Sequence, residues 1–350
     1  MSRRSRNLSS AAVDAFSGDL YIADSGDNSV TVIAGGTDII TIIAGGDSSG
    51  SGTYGSGGYS GDGGLAVLAT LNAPTGLTVD AVRGLLYIAD RGNNVIRMIA
   101  KSTGIITTIA GLGAAGYGGD GGQATSALIS QPAGTAVDPI TGNLYIADSG
   151  NNMIRMVSKS TGVITAVAGS SVDLGGYTGD GGLAAKALFN NPTGLAFSPT
   201  DGNLYIADTG NNIIRMLTKG TGIISTVAGN GHQRCSKGGK LAVSTCLHMP
   251  IGLAFDAVKG QLFIADSGNN AIRMVDSAGI ITTVVGDDLR HGGPAIYASL
   301  YRPRSIALDV SSSMIHIVDS DLNSARDSAE IPATAISPPT MAPTGTGKVK

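Results

Sequence analysis

The sequence contains no tryptophan, only 4% aromatic residues, and one glutamate, Glu330, among its 26 Asp and Glu residues. The other acids are all aspartates. Helical surfaces are built largely from Glu, Lys and Ala, whereas Asp and Gly favour turns. Glycine fills 53 of 350 positions, about twice its usual ~7% share, so a helical bundle is nearly excluded. No apolar run approaches the ~18 residues of a membrane helix. The stretch Met1–Phe16 carries three arginines but no apolar core, so it is not a secretory signal, and its Ser/Arg-rich start is too short to be read as a transit peptide. Two cysteines do not make a disulfide scaffold. A net charge of -3 offers no basic excess for bulk attraction to nucleic acid. The apolar share of 42% argues against a wholly disordered chain. The compartment stays unassigned.

What the sequence does contain is self-similarity. The run Leu86-Tyr87-Ile88-Ala89-Asp90 returns at Leu144–Asp148, Leu204–Asp208 and, with Phe263, at Leu262–Asp266. Leu20–Asp24 is an earlier copy and Ile315–Asp319 a worn one. The closing aspartates are 66, 58, 60, 58 and 53 residues apart. Each full unit has an apolar run such as Gly76–Asp80, then the Tyr-Ile-Ala-Asp run and a Gly-Asn-Asn turn. An Ile-Arg-Met segment and a last run such as Ile105–Ala110 complete it. Four β-branched runs between Gly, Asn and Asp turns are a strand-and-hairpin signature. One four-stranded antiparallel sheet per unit, repeated six times, predicts an all-β, six-bladed β-propeller.

The linkers between units align backward from a proline. Tyr59, Tyr117 and Tyr177 each stand 15 residues before Pro74, Pro132 and Pro192. Between them lies a Gly-Asp-Gly-Gly core holding Asp62, Asp120 and Asp180. Small and apolar residues follow at short spacing (Ala66, Ala69 and Leu71 in the first such linker) and predict one helical turn tucked between blades. Residues 1–10 read as an N-terminal extension, 11–326 as the propeller and 327–350 as a disordered Pro/Thr/Ala-rich tail. Arg326 aligns with Arg97, but nothing after it reads as an outer strand, so the last blade is expected to be incomplete. Neither end offers a strand to knit the first and last blades together.

Leu-Tyr-Ile-Ala-Asp-Ser-Gly-Asn-Asn-x-Ile-Arg-Met, with Ile-Ile-Thr-Thr-Val-Ala-Gly-type outer runs and Gly-Tyr-x-Gly-Asp-Gly-Gly linkers, resembles the NHL-repeat propellers. The linker form is similar to bacterial and teneurin-type arrays. The resemblance runs from Ala11 to Asp319 and implies a toroid used mostly as a binding platform for protein, RNA or carbohydrate. Related six-bladed propellers include lyases and lactonases. Fold alone does not decide between these uses.

Three sets of residues invite a chemical reading. Asp62, Asp120 and Asp180 could offer oxygens to calcium, though identical placement in each repeat favours a structural role, with each carboxylate accepting amides of its own turn. His232, His248 and His291 could hold zinc with an open position, as the related lyases do, but His232 and His248 share one linker. Cys235 and Cys246 occupy the slots of Tyr117 and Leu128 and could form a disulfide or remain two small reduced side chains. A metal site joining them to His232 and His248 matches no common zinc module. The strand-end aspartates Asp90, Asp148, Asp208 and Asp266 read as turn caps rather than catalytic acids. Arg97, Arg155, Arg215 and Arg273 read as ion-pair partners or solvated side chains. The expected function is therefore a non-catalytic, monomeric binding or scaffold platform for a protein, or a glycan, needing no cofactor. A metal-assisted lyase or lactonase at the channel mouth is the alternative. An RNA platform is disfavoured by charge and by the lack of aromatic stacking residues.

Overall fold

The computed structural model describes residues 7–37, 39–46, 57–170, 175–233, 240–286, 300–309, 314–320 and 328–332. Five antiparallel sheets each follow the meander of a propeller blade, and a sixth, three-stranded sheet completes the set. The second blade is representative: inner strand Pro74–Asp80, second strand Leu85–Asp90, third strand Val95–Ala100, outer strand Ile105–Ala110. The register pairs Ile88 with Leu77 on one side and with Arg97 on the other. Period-two alternation fails along the second strand, where Leu86, Ile88 and Ala89 are all fully buried. That is expected of a strand covered by a neighbouring blade on each face.

The Gly-Asn-Asn segments form short 3-10 turns closed by a left-handed residue, Asn94, Asn152, Asn212 or Asn270, with φ of 54 to 58°. Asparagine tolerates this conformation better than other non-glycine residues. The helical turn predicted from Ala66, Ala69 and Leu71 is a single 3-10 turn, Ala66–Leu68. It presses Ala66, Ala69 and Leu71 between the first and second blades, against Ala23 and Val30 on one side and Leu86 and Ile106 on the other. The core is thus a series of slabs between sheets, each reinforced by the linker that enters it. Burying a leucine such as Leu71 contributes roughly 1.5–3 kcal/mol.

Two boundaries differ from the expectation. The first blade's inner strand starts at Leu8, not after residue 10, because Leu8 pairs with Asp24 as Pro74 pairs with Asp90. A third strand of the sixth sheet runs Ser328–Pro332, within the stretch read as tail. It pairs Val318 with Ser328, whereas the second blade pairs Ala89 with Ile96. No Gly-Asn-Asn turn follows Asp319, so the tight connection is lost and the strand resumes later. Residues 333–350 lie outside the described residues. Among the described residues the first blade and the sixth sheet share no strand: Leu8, Leu20 and Ile22 pack against Ala307 and Val318. The Ala11 amide donates to the Ser305 hydroxyl at 3.1 Å.

Candidate functional site

Inner strands run away from the linker prolines, so linkers and Gly-Asn-Asn turns share one face. The repeated charged residues there serve the architecture. Arg97 is fully buried and lies between Asp62 of the linker, at 2.8 Å, and Asp90 of the second strand, at 3.7 Å. Arg155 repeats this with Asp120 at 2.7 Å and Asp148 at 3.3 Å, and Arg215 with Asp180 at 2.7 Å and Asp208 at 3.9 Å. Tyr59, Tyr117 and Tyr177 cover the guanidinium groups at 5.1–5.5 Å. The linker aspartates therefore take a buried arginine, where an amide-filled turn was expected. A guanidinium cannot shed its charge, so burying it requires a fixed carboxylate.

The strand-end carboxylates also anchor the linkers. Asp90 accepts the Asn72 amide at 2.7 Å and the Asn93 side chain at 2.8 Å. Asp148, Asp208 and Asp266 accept Ser130, Asn190 and His248 amides in the same way. The sequence reading makes them turn caps fed by the Gly-Asn-Asn amides; their donors are instead a linker amide and an asparagine side chain. Burial pushes Asp90 and Asp148 up to about 6 and Asp208 up to about 7, against the pull of these donors and the arginines. Asp266 is raised for the same reason. At Asp180, burial is outweighed by hydrogen bonds from Thr226 and Arg215, and the carboxyl stays below its usual range.

The residue before each linker proline adopts positive φ: 46° at Ala73, 45° at Gln131, 48° at Asn191 and Met249, 57° at Arg302. Such a conformation is unfavourable ahead of proline. It is held by the left-handed asparagine of the preceding blade, which accepts its amide: Asn28 from Ala73, Asn94 from Gln131, Asn212 from Met249, Asn270 from Arg302. Two of these residues, Asn191 and Met249, line the linker-face mouth of a central channel of about 520 Å³. Small residues wall the channel because the inner strands approach closely. A Cβ at Gly134 would fall 2.2 Å from the Thr193 carbonyl oxygen.

Repetition breaks at one corner of this mouth. The two residues before the proline are Asn72-Ala73, Ser130-Gln131 and Asn190-Asn191 in three linkers, but His248-Met249 and Tyr301-Arg302 in the others. A hollow of about 240 Å³ opens there, lined by His248, Met249, Tyr301, Arg302 and Arg304, and it shares Met249 and Arg304 with the channel. Met249 is 46% exposed and Tyr301 54%. Arg304 donates through Nε to Ser320 at 3.1 Å. Sequence reading passed over Met249, Tyr301, Arg302 and Arg304, although aligning residues beside the prolines would have flagged them.

The three linker aspartates do not form one site. Asp62, Asp120 and Asp180 each serve their own arginine, and among the described residues no three His, Cys, Asp or Glu side chains could hold a metal ion. His232 is exposed, while His248 is half-buried with Nδ1 at 3.1 Å from the Gly268 carbonyl. His291 and Cys235 lie outside the described residues. Cys246 is buried and is not a free thiol.

Residues 189–215 match the NHL repeat family model. The chain is 27% identical over 78% of its length to the chloroplastic protein Suppressor of quenching 1 of Arabidopsis thaliana, and covers 27% of it. It is 24% identical over 72% of its length to NHL repeat-containing protein 2 of Gallus gallus, covering 38% of that protein. With human teneurin-4 it shares 34% identity over 61% of its length and 8% of the relative's. It thus spans well under half of these relatives. Among solved structures, a protein of unknown function from Bacteroides thetaiotaomicron superposes with TM-score 0.63 at 18% identity, over 91% of this chain and 68% of that one. A gluconolactonase of Xanthomonas campestris gives 0.58 at 15%, over 91% and 84%. These last two likenesses concern the fold alone. Repeat sequence, blade topology and relatives agree: the chain is a β-propeller whose blades carry sequence similar to the NHL repeat.

Proposed function

We propose that the chain is a non-catalytic binding platform whose linker face engages a macromolecular partner, a protein first and a glycan second, at the corner between the fifth blade and the sixth sheet. The observation that carries this reading is the local break in repetition. Residues that recur from blade to blade are occupied in holding the blades together. Those that differ, Met249, Tyr301 and Arg302, are exposed around a hollow. Aromatic, methionine and arginine side chains are enriched at interface centres.

The test begins with a photo-crosslinking residue at position 301, used to identify what binds. The purified partner is then titrated against the wild-type chain, Tyr301→Ala, Arg302→Glu and a control, Val82→Ser, whose side chain is 81% exposed elsewhere. At least a tenfold loss, about 1.4 kcal/mol, is expected for each corner variant and none for the control. Equal affinity in all four would sink the assignment.

A further inference from the structure

In four blades the outer strand is covered by the linker that enters the blade. In the second blade, Gly63 donates to the Ile106 carbonyl at 2.8 Å, Ile106 donates to Gly64 at 3.0 Å, and Ala66 donates to Gly104 at 2.8 Å. Gly121, Gly122 and Ala124 do the same along the third blade, and Gly181, Gly182 and Ala184 along the fourth. In the fifth, Lys240 and Leu241 pair with Ile281 and Ile280. Beneath this cover Ile106, Ile164, Ile224 and Ile281 are each 0% exposed.

The first blade has the same strand, Ile40–Ala44, in the same register. Ile40 faces Ile33 as Ile106 faces Ile99. Yet Ile40 is 65% exposed and Ile39 64%, and among the described residues no segment pairs with this edge. By register, the Ile40 N–H and C=O point outward, as those of Ile106 do. An uncovered edge with a large apolar side chain is a template for strand addition.

We propose that this edge is a β-augmentation site for a Gly-rich, Ala-containing segment of a partner polypeptide, pairing with Ile40 as the chain's own linkers pair with the outer strands of the other four blades. The molecule itself shows the occupant's chemistry. Gly63, which donates to the Ile106 carbonyl, holds φ of 80°, a conformation that favours glycine at that position of the occupant. Backbone hydrogen bonds supply the affinity, and the small side chain after the glycines covers the isoleucine. One requirement is relaxed. Thr31 pairs with Ile22 where Arg97 pairs with Ile88, so the first blade has no third-strand guanidinium to ask for the linker aspartate. The resident linkers do not compete, because each is tethered to its own blade at high effective concentration. This site is independent of the corner between the fifth blade and the sixth sheet.

The probe is a labelled peptide with the sequence of residues 60–72, titrated against the full chain by fluorescence anisotropy. Saturable binding is expected, and an Asp62→Ala version of the peptide should bind equally. Ile40→Pro in the protein removes the outward N–H at an edge position where proline is tolerated, and should weaken binding at least tenfold. Hydrogen exchange gives a second readout on the unaltered chain, with slower exchange at Ile40–Ile42 when peptide is added. Tyr301→Ala should leave peptide binding unchanged. The inference is overturned by absence of saturable binding, by binding that ignores Ile40→Pro, or by a dimer of the free chain that Ile40→Pro dissolves, which would make a second copy the occupant.

Discussion

The second to fourth blades and the fifth blade carry the same arginine, yet bury it differently. Arg97, Arg155 and Arg215 are fully buried and each reaches a linker carboxylate and a strand carboxylate. Arg273 keeps 13% of its side chain exposed and bonds Asp266 at 3.1 Å and the Thr283 hydroxyl. Its linker has Gly238 in the aspartate's place. A guanidinium held from both sides ties the linker to its blade, whereas one held from a single side only caps the second strand. The fifth linker must therefore be secured by other means, and it is the linker that contains both cysteines.

The sharpest way to break this comparison is to remove the cation from each kind of blade. Arg155→Leu leaves Asp148 buried beside an apolar group. Loss of one partner from a buried pair costs about 3–5 kcal/mol. Arg273→Leu should cost clearly less, because its surroundings hold one carboxylate and admit water. Urea denaturation of both variants measures the difference. Equal losses would show that the linker carboxylate contributes nothing. The next effect concerns the compensating clip. If Cys235 and Cys246 form a disulfide, reduction should lower stability by roughly 2–3 kcal/mol for so short a loop, and Cys246→Ala should be insensitive to reductant. A transition unmoved by dithiothreitol would leave the fifth linker without its proposed replacement for the aspartate.

Much of this was legible in the sequence because the repeat multiplies each signal. The Tyr-Ile-Ala-Asp strands, the alanine-bearing helical turn and the buried Leu71, Ile129 and Phe189 all stand where spacing placed them. The partner of Asp62 was not legible, since Arg97 lies 35 residues later and sequence cannot say which of two arginine roles applies. Nor was the strand at Ser328–Pro332, because its local pattern lacks the turn that announces the others. The candidate corner was missed for the opposite reason: attention to what repeats hides what does not. The bare edge at Ile40 became visible only beside four covered copies.

Acidity sharpens the same contrast. Asp90, Asp148 and Asp208 have folded pKa values of about 6 to 7, above their ordinary 3.8, because burial disfavours the carboxylate. Between about pH 4 and 7 the folded chain then binds more protons than the unfolded chain, so its stability falls as pH rises through that window. Asp14, Asp138 and Asp180 are shifted down and withdraw stability only on acidification below the ordinary carboxyl range. Stability measured in urea should therefore be higher at pH 5.5 than at pH 7.5, by on the order of 3 kcal/mol if the three shifts add. Asp208→Asn, which removes the group with the highest of the three values, should flatten the profile. A midpoint that instead climbs toward pH 7.5 would mean that the arginines keep these carboxyls ionised throughout.

The smallest effect lies at the seam between the first blade and the sixth sheet. Position two after the linker proline is glycine in the second to fifth blades, where the next inner strand leaves no room for a Cβ, as at Gly76 and Gly134. At the seam it is serine. Ser305 accepts the Ala11 amide at 3.1 Å, and Ser10 accepts the Leu77 amide at 3.1 Å. The first blade is thus joined to its neighbours by hydroxyl groups where the other blades meet through bare backbone. Ser305→Ala keeps the Cβ and deletes only the hydroxyl, at a cost of about 0.5–1.5 kcal/mol. Hydrogen exchange locates the loss: Ala11 should exchange faster while the Ile154 and Ile214 amides, in the third and fourth blades, stay protected. Uniform acceleration across all blades would mean that the seam opens only with the whole molecule and is no weaker than the joints built on glycine.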